Sequence, residues 1–194
     1  MYIGNTGYLI PTNDTFLLGF LGSRVAWMIL SKICLHNKFR AELWEYRVLP
    51  QFISRLPIPD APTDERESIG ALTLAITEQA RARYDLHSCT RRRILTDLGT
   101  AGKVLNQKLT AWWNLDFPSF RAELLKVFKR DIALKERDDW ETWLAEQRAA
   151  HQRHTAEIVR LETELNSRVY TLFDLTPAEI ALIEESTKYR YGEV

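Results

Sequence analysis

Residues 135–173 read KERDDWETWLAEQRAAHQRHTAEIVRLETELNSRVYTLF, a run without a proline or a glycine. Its stripe of Trp140, Leu144, Gln147, His151, His154, Ile158, Leu161, Leu165, Val169 and Leu172 advances in steps of three and four. Such steps keep one side of an α-helix pointing one way. Sustained this far, they predict a single coiled-coil-like helix over about 135–173, packed on a partner. A chain organised around such an element is predominantly α.

The flanks extend the helical reading. After Asp174-Leu175, Thr176 supplies a cap and Pro177 the first position of a terminal helix over about 177–188. Upstream, Phe117-Pro118-Ser119 opens a helix with Phe120, Leu124, Leu125 and Phe128 on one face. Gly99 and Gly102 precede another helical stretch through Trp112-Trp113. Thr63 is placed to cap a helix whose first turn carries Glu65 and Glu67, with Ile69, Leu72, Ile76 and Ala80 at helical spacing. Before residue 60 the pattern changes. Lys38 to Pro59 is rich in β-branched and aromatic residues and holds Pro50, Pro57 and Pro59, which predicts two short strands or extended segments. Tyr and Ile residues around Asn5-Thr6-Gly7 predict a hairpin in the first dozen residues. The expected fold is α+β, predominantly α. A small β/α part over 1–62 precedes a helical region over 63–194, and strands occur only before Leu56.

The apolar run Phe16 to Leu35, FLLGFLGSRVAWMILSKICL, follows the capping residues Thr12 to Thr15. It carries Arg24 at its centre, and a mid-bilayer arginine costs roughly 2.5–3.5 kcal/mol. Met1 to Thr15 also lacks the basic residues that open a secretory signal. The run is read as a buried helix over 15–33 with Arg24 held by an acidic or backbone partner, and no membrane association is expected.

With 194 residues, 45% apolar and 27% charged, the chain is long enough to bury a core, and its composition excludes a disordered or low-complexity class. Two cysteines, Cys34 and Cys89, make neither a disulfide framework nor a CxxC metal cluster, which fits a reducing cytoplasm. Lys plus Arg and Asp plus Glu both number 26, which rules out a uniformly basic coat. The neutral total hides an uneven spread. Arg81 to Lys108 holds seven basic and two acidic residues, whereas Leu134 to Val194 holds eight and thirteen.

Catalytic constellations are missing from the sequence. There is no glycine-rich nucleotide loop, no nucleophile elbow and no H-E-x-x-H. His151 and His154 stand at i, i+3, a spacing that can bind metal, but no third ligand shares their face. They are read as polar positions that fix the register of a helix seam. No catalytic, metal or cofactor residue is therefore assigned. The basic residues are candidates for nucleic-acid backbone contacts: Arg81, Arg83, Arg91, Arg92, Arg93, Lys103 and Lys108 in the middle of the chain. Near the N-terminus, Lys38, Arg40, Arg47 and Arg55 interleave with Phe39, Trp44, Tyr46 and Phe52, a mixture able to hold phosphates and read base edges. The same patterns equally describe solvated helix faces and the two faces of one sheet.

Five stretches together resemble a known family. LLGFLGSRVAW at 17–27, then SRLPIP at 54–59, looks like the TaqI-like C-terminal specificity domain, in which a helix precedes an LPIP exit from the sheet. LTAWWNLDF at 109–117, LKERDDW at 134–140 and LNSRVYTLFDLTPAEI at 165–180 follow in order. The last is similar to the ending of adenine-specific DNA methyltransferases of restriction-modification and phage-defence systems. Gly22 stands where many relatives have Asn, and Phe173-Asp174 replaces Tyr-Gly. The resemblance implies a target-recognition module for double-stranded DNA, partnered by a methyltransferase catalytic domain or subunit that would hold S-adenosylmethionine. The expected chain is thus a fragment or separate subunit, non-catalytic by itself. The alternative is a helical assembly module acting, or self-associating, through the long helix 135–173.

Overall fold

The computed structural model describes residues 10–40 and 43–187, and within that span the side chains of all but residues 36–40 and 43–45. The hairpin expected around Asn5-Thr6-Gly7 lies outside the described residues. In chain order the elements are α1 (Thr15–Leu21), α2 (Arg24–Ile33), β1 (Leu35–Arg40), β2 (Leu43–Arg47) and α3 (Pro50–Ile53). Then follow α4 (Thr63–Arg93), α5 (Gln107–Thr110), α6 (Phe117–Phe128), α7 (Arg137–Leu172) and α8 (Pro177–Ser186). The chain is α+β and predominantly helical, and among the described residues both strands precede Leu56. They form one antiparallel pair whose register slips between His36 and Lys38.

Two compact units form, Met1–Thr77 with Val159–Val194, and Glu78–Ile158. This division cuts across a boundary at residue 62, because α4 and α7 each contribute to both units.

In the first unit the apolar run is two helices rather than the single one expected over 15–33. Their axes bend by 62°. Gly22 ends α1 with its N–H on the Leu18 carbonyl, and the buried Ser23 starts α2 by accepting from the Ala26 N–H at 3.2 Å. A serine hydroxyl offers a freed backbone donor what another helical turn would have offered it, so the helix restarts in a new direction. No single described helix is long and apolar enough to cross a membrane. The core packs Phe16, Phe20, Val25 and Ala26 against Ile69 of α4, Val169 of α7 and Ile183 of α8. Arg24 lies largely buried and pairs with Glu184, as the interrupted apolar run demands.

Where α1 crosses α4, glycine makes the approach possible. A Cβ at Gly19 would sit 2.2 Å from Thr73 Oγ1, and one at Gly70 would sit 2.5 Å from Thr15 Oγ1. Thr73 cannot swing away freely, since its hydroxyl donates to the Ile69 carbonyl at 2.8 Å and its χ1 is stiff.

The second unit gathers Ile94, Leu109, Trp112, Phe120, Leu124 and Leu144 into a separate core. Several local expectations are corrected here and upstream. Pro50 does not mark an extended segment but occupies the first position of α3, where its missing N–H costs nothing. Thr63 is the first helical residue rather than the cap. The helical stretch through Trp112-Trp113 is the short α5 followed by a 3₁₀ turn over Trp112–Asn114. Leu125 is 51% exposed, because Phe120, Leu124 and Phe128 already define the buried line in steps of four and Leu125 stands about 100° further round. Further on, α7 and α8 run close to the ranges read from sequence, and Thr176 with Glu179 closes a full capping box.

Gly19→Ala should lower stability by about 1–3 kcal/mol through overpacking against Thr73. Gly22→Ala, whose Cβ would meet nothing nearer than 3.5 Å, should change it by less than about 0.5 kcal/mol. Urea unfolding of the two variants measures the difference.

Candidate nucleic-acid interface

In the first unit, Arg47 closes β2 opposite Leu35 and is exposed, and Arg55 is exposed just beyond α3. Tyr46 meets the Trp27 ring edge-on at 5.5 Å, which ties β2 back to α2. The strand register places Lys38 opposite Glu45 and Arg40 opposite Leu43. The side chains of Lys38 and Arg40 lie outside the described ones.

In the second unit the candidates separate by what they touch. Arg91 is half-buried and donates Nε to the Thr110 carbonyl at 2.9 Å, with its guanidinium 5.6 Å from the Trp113 ring centre. Arg93 pairs with Asp97 at 3.3 Å and lies over Trp140 and Trp143. Arg81, Arg92 and Lys103 are exposed. Lys108 is exposed too, and its Nζ stands 3.3 Å from Glu123 Oε1. The consecutive Arg91, Arg92 and Arg93 therefore fan around the helix and share no single face. Glu123 is nearly buried, with its other oxygen taking the Asn106 amide at 2.8 Å. Asn106, then Lys108 and Lys126, hold its carboxyl below the usual range, so it stays ionised at neutral pH.

Around Trp113 the two long helices meet through polar rings rather than aliphatic ones. His87 of α4 stacks on Trp113 with ring centres 4.1 Å apart, and His151 of α7 stacks on the same ring at 5.0 Å. His87 Nε2 and His151 Nδ1 share a hydrogen bond of 2.9 Å. One turn along, His154 Nδ1 meets Gln79 Oε1 at 2.8 Å, and the buried Arg83 donates to Thr155 Oγ1 at 3.2 Å. Trp112 is fully buried beneath this layer, and Trp113 is half-buried, as adjacent residues on one turn must be. Each of these hydrogen bonds has one partner on α4 and one on α7, so a one-residue slip would break all of them. These histidines set register. Among the described residues, no three His, Cys, Asp or Glu side chains converge as a metal-ligand set.

Sequence reading missed His87 and Gln79 as members of this seam, since α4 carries no regular apolar stripe there, and Arg83, expected among the phosphate-facing cations, is instead buried in it against Thr155. It also missed Glu123 and Lys126, which belong with Lys108. A charge count over 100–130, with six basic and two acidic residues, would have found that cluster.

Burial first, then the charges of His151, Arg91 and Arg83, pushes His87 down to about 4, and burial followed by Arg83 and His154 lowers His151. The native state thus binds fewer protons than an unfolded chain whose histidines titrate near ~6.5. Stability is full above that value and should fall as pH drops towards 4, by at most about 1.4 kcal/mol per pH unit for each histidine. Asp131, which its hydrogen bond to Arg121 holds down at about 2, affects stability only below ~4. The melting temperature should therefore fall between pH 7 and 5 in the parent chain and less steeply in His87→Gln. An unchanged slope in the variant would assign the effect to other groups.

No curated protein and no solved structure matches the chain. One family model does, that of the domain of unknown function DUF8810, over residues 62–169. The match takes in α4, the whole second unit and most of α7, and covers more than half of the 194 residues. The chain belongs to the DUF8810 family.

Proposed function

We propose that this chain is the DNA-recognition module of an adenine-specific DNA methyltransferase or of a related restriction-modification or phage-defence enzyme, and that it is non-catalytic by itself. The observation that carries the reading is how the stretches similar to that family interlock. Arg24 and Asn166 come from two of them, 142 residues apart, and the Arg24 N–H donates to Asn166 Oδ1 at 2.8 Å. Tyr170, from the second stretch, donates to Glu184 Oε1 at 2.6 Å, and Glu184 also pairs with Arg24. Segments that depend on one another for their buried polar groups form one structural element, which supports treating these two motifs together rather than as separate chance matches.

The alternative, assembly through the long helix, is the weaker of the two. Leu144, Ile158, Leu161, Leu165 and Val169 are 4% exposed or less, so the apolar stripe of α7 is already covered within its own units. Exposed cations are a surface feature left for a partner, and they suit phosphates. Double-stranded DNA is the partner in this reading, and S-adenosylmethionine belongs to a catalytic part elsewhere.

Fluorescence anisotropy with a duplex selected from a random pool should show binding that weakens steeply with salt, with log affinity falling by roughly 0.9 per decade of salt for each phosphate neutralised. Arg47→Ala or Arg55→Ala should cost about 1–3 kcal/mol on the selected duplex and little on others, the behaviour of a base-reading arginine. Calorimetry should show no S-adenosylmethionine binding. Micromolar cofactor binding, or no duplex binding at low salt, would overturn the proposal.

A further inference from the structure

The geometry points to a phosphate-binding face on the second unit, made of Lys103, Lys108, Lys126, Lys129 and Arg130, which holds a nucleic-acid backbone without reading its bases. The inference rests on the DNA-binding reading above and locates a surface for it. Three separate segments build the face. The turn carrying Lys103 is fastened to the end of α6 by Thr100 Oγ1, which donates to the Phe128 carbonyl at 3.0 Å. The Lys103 N–H closes that turn on the Thr100 carbonyl at 3.0 Å. The start of α5 is fastened to the middle of α6 by Asn106, which caps α5 with Oδ1 and donates its amide to Glu123. Lys108 and Lys126 then reach the same oxygen, Glu123 Oε1, at 3.3 and 3.8 Å. Lys129 and Arg130 follow directly where α6 ends.

The charge balance of the face singles it out. Glu123 is the acid paired with two of these five cations, and its side chain is 11% exposed while those of Lys108 and Lys126 are 66% and 68% exposed. One recessed carboxylate therefore positions two ammoniums while leaving most of each in solvent. Lys103, Lys129 and Arg130 are exposed and form no ion pair with any described residue. Beside them Asp131, the next acid along, is gripped by Arg121 at 2.5 Å and Arg137 at 2.9 Å, so its charge is already answered. Complementing the α6 dipole accounts for a cation or two at the helix end. It does not account for Lys103 and Lys108, which other segments bring in. Lys129 also takes the left-handed cap position with φ of 58°, a site where glycine is the usual choice. An excess of long, exposed cations, three of them without an ion pair among the described residues, is the arrangement that releases counterions on meeting a polyphosphate.

Lys126→Gln/Lys129→Gln/Arg130→Gln in the full chain tests the face, with Lys103→Gln/Lys108→Gln as an independent variant built on the other two segments. The readout is anisotropy with several unrelated duplexes over a salt series, with circular dichroism to show that helix content is kept. Each variant should weaken binding by on the order of tenfold, by the same factor for every duplex. Each should also flatten the salt slope by roughly 0.9 for every phosphate that is no longer neutralised. If the parent binds but both variants keep its affinity and slope, the face is not used and the DNA-recognition reading stands without it. A loss confined to one duplex sequence would mean these side chains read bases, which also overturns the inference. A parent chain that binds no duplex at low salt would overturn the recognition reading and this one together.

Discussion

The Glu184 carboxylate holds the first unit together by answering two side chains at once. One oxygen meets the Arg24 guanidinium and the other accepts from the Tyr170 hydroxyl at 2.6 Å. Because these residues sit on α2, α7 and α8, a single acid ties three helices. An arginine 12% exposed is tolerated only when its charge is matched, since the cost of removing it from water is offset by pairing and hydrogen bonding. The backbone is bound into the same arrangement. Arg24 opens α2, so its N–H has no partner within the helix, and Asn166 supplies one from α7. The sharp bend after Gly22 thus has its donors satisfied locally by Leu18, Phe20 and Ser23, and at Arg24 from α7. The glycine crossing at Gly19 then lets α1 settle against α4.

The second unit uses its charges differently. Arg121 approaches Asp131 with Nε at 3.0 Å and Nη2 at 2.5 Å, and Arg137 adds a hydrogen bond at 2.9 Å. This fork ties the loop after α6 back to the first half of that helix and on to the start of α7, and it fixes the chain from which Lys129 and Arg130 project. Arg91 and Arg93 are likewise committed, to a carbonyl, a carboxylate and tryptophan faces. Two arginines of the triplet therefore serve the fold. Cations on the loops and on α6 are left for the surface.

This separation bears on the functional proposal. A chain of zero formal charge can still present a strongly positive face if its acids are recessed or paired and its lysines are not. The polar seam of His87, His151, His154 and Gln79 belongs to the structural side of that division. It specifies one register for α4 and α7 where an aliphatic seam would tolerate sliding, in the way buried polar positions specify coiled-coil pairings.

Much of the fold was legible because it depends on spacing along the chain. The steps from Trp140 to Leu172 required one long helix, Thr176-Pro177 its successor, and Arg24 a buried pair. What spacing cannot carry is which side chains meet. The break at Ser23 was hidden because a buried serine reads as a tolerated gap in an apolar run, until Asn166 is seen to take the next N–H. The candidate surface was half legible. Lys103 and Lys108 stand out in a basic stretch, whereas Lys126, Lys129 and Arg130 fall outside that stretch, next to Glu123 and Asp131. Sequence counts those acids at full charge. Only the tertiary structure decides that Asn106 and two lysines enclose one of them and that two arginines clamp the other. The sign of a surface is set by which charges remain exposed after folding, and that is a property of contacts between segments far apart in the chain.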